Sequence, residues 1–335
     1  MKTILITGAN GFVGSNLIEK SVQLGFKTIG IVRKTSDLTF IKKFLKKIEL
    51  FYGDIIDKDS IREAFKKNID YVVHTAAYAS DWGKYEYFYN VNVIGTKNIC
   101  ELCLEYNVKH LIHISSISVY GFDTRIDADE KTPVIKNNFY YCKTKLEAEE
   151  VVEHFIKVFN LKATILQPGV IYGKNDRTTF YKIIEALLNN KMAMGDSGRH
   201  LLSPLYIDNL VNAILLVIKK PKKSIGKKYI VTDNVKITWK EFLNIFCKYL
   251  NVNYPKFDIP RWLGIFLAFV SESIYKLLKI KQPPLITAYR ASLVTSDFHF
   301  SCKKIMKELG YKPLNDIEKN VKNTIESYFE YKKRI

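Results

Sequence analysis

A phenol and a primary amine four residues apart, Tyr141 and Lys145 in the run YYCKTKLEAEEVVEHF, are the pair in this sequence best suited to moving a proton. Positions four apart lie on one face of a helix, so both groups address the same point. A free phenol titrates near pH ~10, too high to trade protons readily at neutrality. A cation within a few ångströms lowers such a value by roughly 1 to 3 units, so the Lys145 ammonium is expected to bring Tyr141 into the range of general acid–base work. Upstream, a short apolar run at 111–114 ends in two hydroxyls, Ser115 and Ser116. A second constellation opens the chain, where Gly8, Gly11 and Gly14 recur every three residues in TILITGANGFVG. Glycines at a strand-to-helix turn let backbone N–H groups and the positive end of a helix approach a phosphate that any side chain would obstruct. The chemistry these residues suggest is a dinucleotide, held by its pyrophosphate, beside an acid–base pair.

Such groups need a scaffold that gathers strand ends, and the hydrophobic pattern supplies one. Ile4, Leu5 and Ile6 form a short continuous apolar run, as in a strand buried on both faces of a parallel sheet. A helix containing Leu17 and Ile18 runs to Gly25, a C-cap, and 26–32 reads as a second strand, completing the βαβ opening of a dinucleotide unit. Further strands are expected at 48–52, 71–73, 111–114, 163–166 and 228–231. The expected fold class is α/β, a doubly wound parallel Rossmann sheet with a smaller, mainly helical C-terminal substrate lobe. Residues 1–170 with a return segment 205–232 form the nucleotide domain, and 171–204 and 233–335 the lobe. His74 reads as a structural histidine. Cys100 and Cys103 make a CxxC inside an apolar helical pattern and read as small buried hydrophobes, with no metal-ligand cluster visible.

The ordered combination of TGxxGxxG, a strand ending in paired serines, and YxxxK followed by Glu147, Ala148 and Glu149 resembles the extended short-chain dehydrogenases/reductases, the NAD-dependent epimerase/dehydratase superfamily. ASDWG at 79–83 and FSCKKIMKELGYKP near the end are more similar to the 3β-hydroxysteroid dehydrogenase-like and dihydroflavonol reductase-like bacterial subgroup than to the sugar epimerases. The resemblance implies three catalytic residues: Tyr141 as general acid/base, Lys145 on the nicotinamide ribose, and Ser116 on the substrate oxygen. It implies a cofactor held at the phosphates by Gly8, Asn10, Gly11, Phe12, Val13 and Gly14, and at the adenine by Asp54 and Ile55. Ala76 and Ala77 let backbone come close, and Pro168, Gly169, Val170 and Ile171 pass beside the nicotinamide. Ser115 is included among the cofactor contacts, although its hydroxyl reads as structural. Asn92, in NVNVIGTKNI, reads as a structural hydrogen-bonding residue. Gln167 departs from the Arg that the family usually places before Pro-Gly, which puts local packing in question more than chemistry. Family members pair through a four-helix interface, so the resemblance implies a homodimer.

At the end of the second strand, Arg33 and Lys34 stand where an acid would bind a ribose 2′-hydroxyl and a cation a 2′-phosphate. NADP(H) is expected over NAD(H), with Asp37 close enough to keep NAD(H) open. The 335 residues are 47% hydrophobic and 26% charged, the balance of a soluble globular protein. No apolar run approaches the ~20 residues that span a bilayer, and no signal peptide precedes the glycine loop, so a cytoplasmic location is expected. The net charge of +18 is scattered over helix-surface lysines such as Lys42, Lys43, Lys222 and Lys223, without a nucleic-acid module, so no nucleic-acid partner is expected. The stretch 260–281 carries Leu263, Phe266, Leu267, Val270, Ile274 and Leu277 at helical spacing. Burial in the lobe's own core is its default reading. A lining for a lipid-like substrate cleft, or a peripheral membrane contact with Lys276, Lys279 and Lys281 toward headgroups, are the alternatives. The expected small-molecule substrate is a secondary alcohol or ketone in an apolar molecule, sterol-like, isoprenoid or long-chain. A nucleotide-sugar epimerase or dehydratase, with Arg177 and Arg199 on a diphosphate, and a non-catalytic NADP sensor are the other readings.

Overall fold

Seven strands of the computed structural model, which describes residues 1–334, form one central sheet. They are β1 (Thr3–Thr7), β2 (Lys27–Val32), β3 (Glu49–Tyr52), β4 (Tyr71–His74), β5 (His110–Ile114), β6 (Ala163–Pro168) and β7 (Lys228–Val231). Their order is β7-β6-β5-β4-β1-β2-β3, and every neighbouring pair is parallel. β1 and β5 are buried at every residue, because helices cover both faces and the strands have no polar side to show. Successive residues nevertheless serve different cores: Ile4 and Ile6 join one apolar cluster and Leu5 the other. Order reverses between β1 and β4, and at such a switch point the carboxyl ends of the strands leave a crevice for a ligand. Register sets Thr7 beside His74 and His74 beside His113, so the ends of β1, β4 and β5 meet at that crevice.

The helices that position the site are α1 (Phe12–Gln23), α2 (Lys58–Phe65), α3 (Gly95–Glu105), α4 (Tyr140–Phe159), α5 (Ile207–Lys219), α6 (Arg261–Leu277) and α7 (Ala288–Val294). Leu17 and Ile18 of α1 and Leu210 and Ile214 of α5 pack on one sheet face; Ile61 and Phe65 of α2, Ile99 of α3 and Val152 of α4 pack on the other. Cys100 and Cys103 lie in this second core, where burial pushes both thiols up. The lobe is filled by rings, with Phe180 against Tyr172, Phe242 and Phe246 at centroid distances of 5.8, 5.6 and 5.5 Å.

Core burial of 260–281 is not what the structure shows. Only Gly264 and Ala268 of α6 are buried, while Trp262 is 70%, Phe269 69% and Leu277 82% exposed. Helical periodicity locates an apolar stripe but does not say which side meets the body. Here the small residues face inward and permit close approach. α6 is clasped to the segment leading into α7, through Ser271 Oγ donating to Ile286 O (3.0 Å) and the Ala288 N–H donating to Glu272 (2.8 Å). Among the described residues no helix is long and apolar enough to cross a membrane.

Candidate active site

α4 begins at Tyr140 and buries Lys145, Ala148, Glu149 and Val152 on one face, the spacing of a helix laid on a sheet. That face aims Lys145 at the carboxyl end of β5, where its Nζ donates to Ile114 O at 2.7 Å. Two residues further on, Ser116 caps a short helical turn, Ile117–Tyr120, and its Oγ accepts from Ser118 N (3.1 Å) and Ser118 Oγ (2.9 Å). The Tyr141 phenol lies beside the Ser116 hydroxyl, close enough for that hydroxyl to favour the phenolate. The structure therefore brings Ser116, Tyr141 and Lys145 to one place.

Their protonation differs from the sequence expectation. Burial pushes the Tyr141 phenol up to about 12, with Cys142 adding to the rise and Ser116 offsetting part of it. The expected lowering by Lys145 is absent because desolvation of the phenolate wins, and the ammonium is committed to the Ile114 carbonyl. Burial also pulls Lys145 down to about 8, against the upward push of Glu149.

Behind the triad lies a buried polar set. Glu149, 1% exposed, accepts from Ser115 Oγ, from Gln167 Nε2 (2.8 and 3.1 Å) and from Lys228 Nζ (3.1 Å). Tyr120 Oη in turn donates to Gln167 Oε1 at 3.0 Å. The Ser115 hydroxyl, read as structural from the sequence, is committed to this network. Gln167 supplies a donor to the carboxylate, and Lys228, on the neighbouring strand β7, supplies the positive charge.

The glycine loop is shaped for a phosphate. A Cβ on Gly14 would stand 2.2 Å from Gly8 O, and one on Gly8, whose φ is +65°, would stand 2.9 Å from the Ala76 backbone. The Ala76 backbone thus packs directly against the loop at Gly8. α1 starts at Phe12 after Gly11 without a side-chain cap, so the first-turn N–H groups around Phe12, Val13 and Gly14 are available to an anion. This cradle fits a dinucleotide pyrophosphate. Asn10 braces the loop after β2 instead, donating to Asp37 O at 3.2 Å. At that end Arg33 is exposed with no ion-pair partner among the described residues, whereas Asp37 is engaged by Thr39 N (2.9 Å), Thr39 Oγ1 (2.6 Å) and Arg177. Those contacts, Thr39 first, hold the Asp37 carboxyl below its ordinary value.

Ile55 is buried at the end of β3, and the Asp54 carboxylate accepts from the Ile56 N–H at 3.2 Å. Beyond β6, Gly169, Val170 and Ile171 are half-exposed, but the N–H groups of Gly169 and Val170 already donate to Val231 O (2.9 Å) and Ser203 O (2.8 Å). Neither is open to a nicotinamide carboxamide. His74 is structural: its ring nitrogens meet Thr7 Oγ1 (2.8 Å) and Thr96 Oγ1 (3.1 Å), and burial pulls it down to about 3, so it stays neutral. Asn92 sits in a π-helical turn, accepting from Tyr78 N (2.8 Å) and donating to Thr144 Oγ1 of α4 (3.0 Å).

One wall of the site escaped the sequence reading. Tyr289 of α7 sets its ring 6.2 Å from that of Tyr141 at 79°, with its hydroxyl beside Ser118. Phe122 and Phe139 flank it at 4.9 and 5.6 Å. No motif surrounds Tyr289, but ASDWG was the available signal. Asp81 receives Arg290 Nε (2.7 Å) and Thr287 Oγ1 (2.7 Å), and Trp82 Nε1 donates to Ile280 O (3.2 Å), so this loop clasps the roof that carries Tyr289. Arg177 stacks on Phe40 beside Asp37, and Arg199 lies exposed 3.5 Å from Asp196.

A family model described as the NAD dependent epimerase/dehydratase family matches residues 4–232. The sterol-4-alpha-carboxylate 3-dehydrogenase, decarboxylating, of Mus musculus is 27% identical over 99% of this chain and 92% of its own. The 2-alkyl-3-oxoalkanoate reductase of Shewanella oneidensis is 24% identical over 95% of this chain and 84% of its own. The crystal structure of UDP-glucuronic acid 4-epimerase from Bacillus cereus in complex with NAD is similar with a TM-score of 0.79, at 20% identity and 99% coverage of both chains, a likeness of fold. With a phosphate cradle at the sheet's switch point and a serine, tyrosine and lysine gathered beside it, the chain belongs to the NAD dependent epimerase/dehydratase family of extended short-chain dehydrogenases/reductases and is an NAD(P)-dependent oxidoreductase.

Proposed function

We propose that this protein interconverts a secondary alcohol and a ketone in an apolar molecule, sterol-like, isoprenoid or long-chain, with NADP(H) preferred and Tyr141 as proton donor and acceptor. The observation that carries this is the Tyr141 phenol placed beside Ser116 and set against the rings of Tyr289, Phe139 and Phe122. Bound nicotinamide supplies or accepts the hydride. The chain's own residues do the rest. Tyr141 is protonated at neutral pH, since its value lies at about 12, and can give that proton to a carbonyl oxygen. Ser116 accepts from Ser118 and keeps its own proton for the same oxygen. In the oxidising direction it is the Tyr141 phenolate that takes the alcohol proton, a form that burial makes scarce at neutral pH. Lys145, at about 8, is largely charged at neutrality and would hold the nicotinamide ribose.

Arg33, exposed where β2 ends, supports a 2′-phosphate, and the engagement of Asp37 by Thr39 and Arg177 removes the nearest acid from competition. Two relatives support the apolar substrate by name, one for a sterol carboxylate and one for a 2-alkyl-3-oxoalkanoate. The near-ultraviolet absorbance of reduced nicotinamide tests the reading, followed with NADPH and with NADH over sterol ketones, long-chain β-keto compounds and sugar nucleotides. The expected result is oxidation of NADPH by an apolar ketone, with Arg33→Ala lowering the NADPH to NADH ratio of kcat/KM roughly tenfold or more. Turnover of sugar nucleotides alone would overturn it.

A further inference from the structure

The outward face of α6 is a large apolar surface that the reaction does not use. An ordinary surface helix turns its large apolar side chains inward. α6 turns Gly264 and Ala268 inward and leaves Trp262, Phe266, Phe269, Ile274 and Leu277 in solvent. A contiguous patch of this kind marks an interaction site, and indole and phenyl rings are the groups that settle at headgroup level.

We propose that this face docks on a bilayer surface carrying anionic lipid, with α6 lying in the plane of the interface. The charges around the helix commit it to that occupant. Lys256 before α6, and Lys276, Lys279 and Lys281 at and beyond its end, are exposed cations. The neighbouring carboxylates are engaged within the protein. Asp258 accepts from Ser197 N and Oγ (both 2.6 Å), Asp196 from the Arg261 N–H (2.8 Å), and Glu272 from the Ala288 N–H (2.8 Å). Lys276 lies 3.6 Å from Glu272, so Lys279 and Lys281 carry most of the unbalanced charge. Asp258 and Asp196 keep their charge and offset Lys256 and Arg261 at the start of the helix, so the excess positive charge gathers at its end, where a second copy laid parallel would set ammonium against ammonium. Phosphodiester headgroups meet that end with the opposite sign. The net charge of +18 adds attraction at longer range. With 17 residues α6 is about 25 Å long, suited to lying on a membrane. The layer it forms with α7 borders Tyr141 through Tyr289, so docking holds the roof of the reaction site at the membrane whichever ketone is reduced.

Flotation of the full chain with vesicles of phosphatidylcholine alone, and of phosphatidylcholine mixed equally with phosphatidylglycerol, reads this out. Wild type is expected to bind the mixed vesicles roughly tenfold or more over the neutral ones, less so at high salt. Trp262 emission should shift to the blue on binding, a shift lost in Trp262→Phe. The combined Trp262→Ser, Phe266→Ser and Phe269→Ser variant should lose binding at least roughly tenfold, with melting temperature and far-ultraviolet dichroism unchanged because the replaced side chains are exposed. Lys276→Glu, Lys279→Glu and Lys281→Glu together should abolish the preference for phosphatidylglycerol. The proposal is overturned if wild type floats with neither vesicle, or if the serine variant floats as well as wild type. It is overturned equally by a dimer in sedimentation velocity that the serine variant dissolves, since the face would then join two copies of the chain.

Discussion

The two walls around Tyr141 are held in opposite ways. On the sheet side, Ser116 follows β5, Tyr141 and Lys145 ride on α4, and Glu149, Gln167, Ser115, Tyr120 and Lys228 form a closed polar set behind them. On the roof side, α6 and α7 lean on the body through two small residues and a few clasps: Asp81 to Arg290 and Thr287, Trp82 to Ile280, and Glu272 to Ala288. Removing one partner of a buried charge pair strands the other, at a cost of about 3 to 5 kcal/mol, whereas a part-exposed clasp is worth about 1 to 2 kcal/mol. The sheet wall is therefore rigid, and the roof can part from the body at small cost.

That contrast can be attacked from three directions. Tyr141→Phe should lower turnover by about 10³-fold in steady-state assays, with NADPH affinity, melting temperature and vesicle flotation all kept. Survival of most of the turnover would move the chemistry off the sheet wall. Lys228→Met leaves the Glu149 carboxylate buried without its cation and should cost about 3 kcal/mol in urea unfolding. A loss under about 1 kcal/mol would mean that Ser115 and Gln167 suffice, and that the sheet wall is no stiffer than the roof. Asp81→Asn loosens the roof and should raise KM for the ketone roughly tenfold while kcat and the urea midpoint stay near wild type. A fall in kcat at constant KM would instead make the roof part of the chemical wall.

The sheet wall was largely legible in the residues, for physical reasons. Strands buried on both faces must be apolar throughout, so runs such as 4–6 and 111–114 declare themselves, and a phosphate loop has no use for side chains where Gly8 and Gly14 sit. Tyr141 and Lys145 fell one helical turn apart because one turn is what the geometry requires. Three features were not legible. The pKa of Tyr141 was argued from charge alone, and burial, which needs coordinates, set the sign. Glu149 looks like any helix-surface carboxylate until β7 is placed beside β6 and Lys228 meets it. α6 has an apolar stripe whose direction periodicity cannot give; Gly264 and Ala268, one turn apart, were the clue to its inward side.

The Lys228 contact also constrains how the chain is made. Glu149 waits 79 positions for its ammonium partner, and the stretch includes 171–204, part of the lobe. A nascent polypeptide that has emerged only as far as β6 already holds the helix bearing Tyr141, yet its innermost carboxylate lacks the ammonium that hydrogen-bonds it. Synthesis must reach β7 before that helix can seat with its ion pair made, so the nucleotide half is not a module that matures first and acquires a lobe afterwards.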